Sequence, residues 1–326
     1  MSDEANSSKS EPRIAYRPQY PVQDRHALFQ WPPNLRSMCR WLFGFPGYLW
    51  PWPSLYICTA LVSWLLLTPD IDRLKTFSAD WITLLFARNL LLLVLFVGAW
   101  HVRLYVQRAQ GMRYKYSARW LSVGNPTFLF RSQVWDNIFW NVLSAVPIWT
   151  AYECLTLWMK ANEFVPTVSW QTHPVYGVLL VLLIPMWADI HFYMIHRFIH
   201  LGPLYRLVHY LHHKNVNFGP WSGLAMHPLE HLLFFSSVAV FWFIPSHSLH
   251  SIYLLQYLAL GSSLAHTGFG QLVLNERATI NIEDYMHYLH HKRIIVNFGV
   301  DIVPLDRWLG TFDGGSDRAR SRAADN

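Results

Sequence analysis

Residues 175–196 read VYGVLLVLLIPMWADIHFYMIH, an apolar run that closes on two histidines, His191 and His196. Two copies of HYLHHK follow, at 209–214 and 287–292, each soon trailed by NFG. A helix needs about 20 apolar residues to cross a bilayer, so this run reads as a span that delivers imidazoles to a membrane edge. On a helix, positions i, i+3 and i+4 share a face. Each HxxHH therefore offers three imidazoles from one stripe, and two facing stripes can hold two metal ions. His191 and His196, at i and i+5, are about 140° apart on an ideal helix. They either serve different metals or mark a bulge.

Composition agrees with a membrane setting. Only 14% of the 326 residues are charged while 52% are hydrophobic and 16% aromatic, against about 25% charged in soluble proteins. So few charges cannot cover a soluble protein of this size, and disorder or a disulfide scaffold does not fit the whole chain. Cys39, Cys58 and Cys154 lie far apart and form no ligand spacing. The net charge of +6 reads as cytoplasmic loop charge beside anionic lipid rather than as a nucleic-acid surface.

The predicted fold is all-α and integral to the membrane, with about four to six spanning or re-entrant helices and a cytoplasmic His-rich helical cap. Residues 1–30 are polar with no apolar run behind a basic start, so a disordered cytoplasmic tail is expected rather than a signal peptide. Residues 31–174 hold an aromatic interfacial segment and the first spans. The apolar runs begin at Leu55–Leu67, which is short, Ile82–Trp100, which contains Arg88 and Asn89, and Ile138–Met159, broken by Pro147. A charge at the depth of Arg88 should face protein or water. After 175–196, residues 232–265 form two short spans or a hairpin around Pro245, His247 and His250. Residues 175–313 make the catalytic unit, and 314–326 a basic tail. The 101–136 loop carries Arg103, Arg108, Arg113, Lys115, Arg119 and Arg131 with no acid before Asp136. The positive-inside tendency makes it cytoplasmic, and counting spans puts the histidines on the same side.

Fourteen of the 17 histidines fall between His191 and His291. A lone histidine is usually a surface or satisfied core residue, and His200, His231, His247 and His250 are read that way. Eight clustered imidazoles differ, because burying them unpaired costs free energy and protonating them together costs more. Coordination resolves both, since neutral imidazole binds Fe, Cu, Zn and Ni.

The connecting text extends the pattern. HRFIHLGPLYRLVHYLHHKNVNFGPWSGLAMHPLEH (196–231) and VNFGVDIVPLDRWLGTF (296–312) resemble the fatty acid hydroxylase/sterol desaturase superfamily of membrane non-haem di-iron oxygenases. The resemblance covers about residues 175–313. It implies that His191, His196, His209, His212, His213, His287, His290 and His291 bind two irons, with His266 as a ninth ligand. Some members place another histidine where this chain has Gly270, so one position is open or filled from elsewhere. His227 and Glu230 are expected to support ligands rather than bind metal. The implied chemistry is O2-dependent hydroxylation of a membrane lipid, with desaturation on the same scaffold as the nearest rival. A non-catalytic metal-binding membrane protein is the rival of another class. GxGxxG is absent, so electrons are expected from an external donor, a ferredoxin or b-type cytochrome with its reductase. The expected location is a bacterial inner membrane or the endoplasmic reticulum.

Overall fold

The computed structural model describes residues 15–18, 26–282 and 285–315. Most of the expected N-terminal tail, and Arg318, Arg320 and Arg322 of the basic tail, lie outside them. The helices are α1 (Leu35–Phe43), α2 (Trp52–Leu67), α3 (Ile71–Leu74), α4 (Ala79–His101), α5 (Gln133–Trp140), α6 (Val146–Ala161) and α7 (Pro174–Ile199). They continue with α8 (Gly202–Leu204), α9 (Tyr210–His213), α10 (Pro228–Phe235), α11 (Ser248–Ala265), α12 (Tyr285–Arg293) and α13 (Leu305–Trp308). A two-stranded antiparallel ribbon, β1 (Gln271–Val273) with β2 (Thr279–Asn281), pairs Leu272 with Ile280.

Among the described residues, three continuous helices are long and apolar enough to cross a membrane: Ala79–Val106, Gln133–Ala161 and Pro174–Ile199. The protein is a membrane protein of helical class. The second of these corrects the expected break at Pro147. A π-helical turn at Asn141–Ala145 precedes it, and Pro147 enters α6 in its first turn. The π-helical turn, a common way to accommodate an irregularity inside a helix, carries the chain through this proline without a break.

α2 and Pro228–Trp242 are apolar but shorter. Local contacts define two ends of the bundle. At one, Tyr176 donates to the Pro245 carbonyl at 2.9 Å, His250 Nε2 lies 3.0 Å from the Gly177 carbonyl, and Lys160 Nζ donates to the Ser246 carbonyl at 2.8 Å. At the other, Trp52 Nε1 donates to the Asn281 carbonyl at 2.9 Å and Ser262 Oγ to the Gly223 carbonyl at 2.7 Å. The segment from α10 to Trp242 therefore runs away from the histidine-rich end, and α11 returns to it. α11 is the central helix, packed on α2, α4, α6 and α7. Between Leu249 and Leu260 every residue but Tyr257 is buried.

The charged residues between α4 and α6 are paired. Arg88 and Glu153 form a buried ion pair between α4 and α6, and Asn89 Nδ2 donates to Glu153 Oε2 at 3.0 Å and to Thr150 Oγ1 at 3.2 Å. Arg88 thus faces protein. Removing one partner of such a pair leaves an uncompensated buried charge, whereas replacing both by apolar groups can be nearly neutral. Glu153→Leu should cost about 3–5 kcal/mol in denaturation of the solubilised protein, and Arg88→Leu/Glu153→Leu should recover most of it. Equal loss in the single and double variants would contradict the pairing.

Candidate metal centre

Two groups of histidines meet at the histidine-rich end of the bundle. His196, His200, His209, His213 and His290 form the first, and His212, His266, His287 and His291 the second. Within each group the ligand atoms all lie within 4.8 Å of one another. The two HxxHH units are divided between the groups in a crossed pattern. His209 and His213, one turn apart, go to the first and His212 to the second. His287 and His291, also one turn apart, go to the second and His290 to the first. α7 adds His196 and its cap residue His200 to the first group, while the cap of α11, His266, completes the second.

The inward-facing nitrogens cannot satisfy one another by hydrogen bonding. His196 Nδ1 lies 2.7 Å from the Phe298 carbonyl, His290 Nδ1 2.6 Å from that of Val296, and His266 Nδ1 2.7 Å from that of Ser262. A carbonyl only accepts, so each Nδ1 carries the proton and each Nε2 a bare lone pair. His266 Nε2 nevertheless sits 3.1 Å from His287 Nε2 and 3.3 Å from His291 Nε2. His291 Nε2 also lies 3.1 Å from both His212 Nε2 and His287 Nε2. One nitrogen holds one proton or one lone pair, and cannot satisfy three such neighbours. In the first group, His196 Nε2 and His209 Nε2 are 3.0 Å apart, as are His290 Nε2 and His213 Nε2. His200 Nε2 is buried with no hydrogen-bond partner among the described residues. Two nitrogens bound at about 2.1 Å to one ion, at a right angle, lie about 3 Å apart. A cation in each group fits the donor set.

Burial, and then the neighbouring imidazoles, hold His209, His213, His290 and His291 well below histidine's ordinary range. Burial pushes His266 down to about 4. These rings are therefore neutral near pH 7, the form that ligates.

The rings are aimed from behind. Glu230 Oε1 lies 2.7 Å from His209 Nδ1, the carboxylate–histidine arrangement that fixes a ligand's orientation and raises its basicity. The carbonyls of Val296 and Phe298 are held by a loop latched to α7. Asp189 accepts from the N–H groups of Val300, Ile302 and Val303 at 2.8–2.9 Å, and Asp306 from those of Phe298 and Gly299 at 2.8 Å. A Cβ at Gly299 would lie 3.1 Å from Asp189 Oδ1 and 3.2 Å from Asp306 Oδ2, so only glycine passes easily between the two carboxylates. The Arg293–Asp313 ion pair and Lys214–Asp136, at 2.8 Å, tie down the ends of the two HYLHHK segments.

His191, expected among the ligands, is placed outside both groups, with Nε2 3.2 Å from Ser236 Oγ. His200, read from sequence as a surface or capping residue, is inside the first. Its signal was spacing: it follows His196 by one turn, as His213 follows His209, whereas His191 is off the stripe. His227 instead caps α10, accepting from Leu229 N at 3.2 Å. Gly270 offers no room for a ligand, since a Cβ there would lie 2.5 Å from the Tyr16 ring. His231 is a core residue between Ser144 Oγ and the Leu224 carbonyl.

A cavity of about 560 Å³ reaches His266 and His287 of the second group. Its wall includes Trp41, Tyr48, Phe192, Leu258, Ile282 and Met286, and it runs back to the aromatic segment around Pro46–Pro53. That size and lining suit a mostly apolar ligand.

The contrast between His200 and His191 is directly testable. His200→Ala should lower the metal content of purified protein, while His191→Ala should leave it intact. Glu230→Gln should weaken metal binding about 10–100-fold. Metal lost from His191→Ala and kept in His200→Ala would reverse the assignment of the first group.

A family model described as fatty acid hydroxylase matches residues 181–311. The chain is similar to a delta(7)-sterol 5(6)-desaturase of Gibberella zeae, 30% identical over 128 residues, which cover 39% of this chain and 36% of that protein. It is also similar to a delta(7)-sterol-C5(6)-desaturase of Nicotiana tabacum, 24% identical over 172 residues, covering 51% and 60%. A delta(7)-sterol 5(6)-desaturase of Aspergillus fumigatus is 29% identical over 147 residues, covering 45% and 41%. The matches thus span 36% to 60% of these relatives' own lengths. No solved structure matches the chain significantly. Both HxxHH units and the terminal NFG loop lie inside residues 181–311, the stretch that matches the fatty acid hydroxylase family model.

Proposed function

We propose that the protein is an iron-dependent oxidoreductase that uses O2 to attack an unactivated C–H bond of a membrane lipid. The observation that carries this reading is the meeting of two all-nitrogen groups with one end of an apolar cavity. His196, His200, His209, His213 and His290 would hold one iron, and His212, His266, His287 and His291 the other. Bound there, the two irons would supply the capacity to activate O2.

The chain's own residues do the rest. Phe298, Val296 and Ser262 carbonyls keep three Nδ1 protons in place, so the Nε2 lone pairs face inward. Glu230 does the same for His209. A lipid body seated in the cavity would lie against His266 and His287 and exclude water from the second group. This second group has four histidines against five in the first, which leaves it the more open towards substrate. Tyr48 is committed to the Leu182 carbonyl and Asp189 to three backbone N–H groups. The cavity therefore favours a largely apolar body, such as a sterol or acyl chain, with its polar end towards the mouth.

Hydroxylation and desaturation share the first hydrogen abstraction and then diverge. Hydroxylation is the reading taken from sequence; desaturation is supported equally well, by the names of the relatives. Lipid mass spectrometry of cells with and without the protein separates them. Gain of one oxygen marks hydroxylation, and loss of two hydrogens marks desaturation. No lipid change with the metal-loaded protein would contradict both and favour a metal-binding protein without catalysis.

Reducing O2 takes two electrons beyond those drawn from the C–H bond, and no dinucleotide or flavin fingerprint is present to collect them. Arg108, Arg113, Arg119 and Arg131 are exposed on the 107–131 segment. Lys115 is instead buried against the Tyr105, Trp120 and Phe269 rings, and burial pushes its pKa down to about 7. The segment is joined to the histidine-rich end by the Lys115–Phe269 bridge and by Tyr116 on Tyr288. A cytoplasmic loop would therefore put the metal site on the cytoplasmic side. NAD(P)H alone should give almost no turnover, and a small acidic carrier with its reductase should start it. The rate at limiting carrier should fall as salt rises on the Debye scale of about 10 Å at 0.1 M. Sustained turnover without a carrier would contradict external electron supply; salt independence would contradict docking on these arginines.

A further inference from the structure

We propose that the Tyr56 hydroxyl holds a neutral oxygen, a hydroxyl or a ketone, on the lipid that enters the cavity, and so selects which lipids are presented to the second histidine group. This rests on the reading of the cavity as the lipid site. Tyr56 lies near the start of α2, three residues past Pro53, where the cavity meets the aromatic segment, and it forms part of the wall. It is 2% exposed, and its hydroxyl is buried with no hydrogen-bond partner among the described residues.

Several polar groups of the same wall are already committed. Tyr48 donates to the Leu182 carbonyl, Ser262 to that of Gly223 and Trp52 to that of Asn281. Asp189 accepts from three backbone N–H groups. Asp301 Oδ1 lies 3.1 Å from His26 Nε2, and its Oδ2 3.5 Å from Arg307 Nη2. A phenol left dry and unpaired costs free energy, most of all inside an apolar bundle where no water can pair it. Packing does not call for the hydroxyl. The ring meets Phe96 edge-on at 6.0 Å and Tyr257 at 5.7 Å, and a Cβ at Gly261 would stand 3.9 Å from its Cε2. An unpaired donor on a cavity wall is satisfied by a ligand that brings an acceptor.

The ligand's oxygen is neutral. Arg40, the arginine of the wall, is exposed on α1. A carboxylate or phosphate carried in to Tyr56 would lose its hydration with no buried cation to meet it. An alcohol or ketone loses less, and both accept from a phenol. Position follows from α11, where Gly261 and Tyr257 precede His266 by five and nine residues. At 1.5 Å per residue these are about 7.5 and 13.5 Å along the helix axis. An oxygen held at Tyr56 therefore stands on the order of 10 Å from the level of His266, with the apolar body between them. The carbon attacked is thus not the one that bears the oxygen.

The test uses the full chain in lipid nanodiscs and reads equilibrium binding of cholestanol, cholestanone and cholestane, which share one body and differ at a single oxygen. Octadecanol and octadecane make the same comparison for a straight chain. The wild type should bind the alcohol and the ketone about 3–10-fold more tightly than the hydrocarbon. Tyr56→Phe should bring that ratio close to one and leave affinity for the hydrocarbon unchanged, a pattern that a merely structural role would not give. Tyr253→Phe removes another buried hydroxyl without a partner, outside the wall, and should keep the preference. A preference that survives Tyr56→Phe, that is lost equally in Tyr253→Phe, or that is absent from the wild type with both bodies would overturn the anchor. A wild type that shows the preference yet leaves the lipid unchanged, when loaded with iron and given O2 and an electron carrier, would instead overturn the oxidoreductase reading and leave the anchor standing.

Discussion

Repulsion among inward-facing imidazole lone pairs is the constraint on which the site depends. Three rings have their Nδ1 protons committed to carbonyls, yet their Nε2 atoms are held about 3 Å from other Nε2 atoms. Protonation would relieve one contact and add charge to a buried cluster. Cations relieve all of them, turning an unfavourable arrangement of neutral bases into a coordination shell. The distances agree with that resolution, and so does the crossed sharing of the two HxxHH stripes.

The surrounding scaffold serves this convergence. α7 carries His196 in its last turn and, nearly two turns earlier, Asp189, which grips the terminal loop. One helix thus supplies a candidate ligand and anchors the segment whose carbonyls orient His196 and His290. Close approach elsewhere comes from small residues: a Cβ at Gly223 would lie 2.5 Å from the Ser262 carbonyl, so glycine lets the chain after α9 press against α11 just before His266. The cavity comes between these elements, which explains why its inner end is imidazole while its wall is aromatic and aliphatic.

Much of this was legible in the chain. The long apolar run before His196, the repeated HYLHHK and the low charge content led to a helical membrane protein with a histidine-rich end. Arg88 was expected to face protein or water, and Glu153 supplies a protein partner. Other features were hidden because they depend on contacts remote in sequence or on local helix geometry. His191 neighbours these residues in sequence but lies outside both groups, whereas His200 continues the one-turn spacing after His196 and lies inside the first. Pro147 looked like a break because its π-helical prelude has no plain sequence mark. Lys115 looked like surface charge, and only the packing of Tyr105, Trp120 and Phe269 around it shows otherwise. Asp189 and Asp306 carry no pattern that distinguishes a loop latch from any other acid.

X-ray absorption at the iron edge of the purified, membrane-extracted protein, with iron counted per chain, tests the central claim most directly. The expected result is two irons per chain, each with a shell dominated by imidazole nitrogen. A chain that holds no iron when supplied with it, or a single iron bound chiefly by carboxylate oxygen or thiolate sulfur, would contradict it.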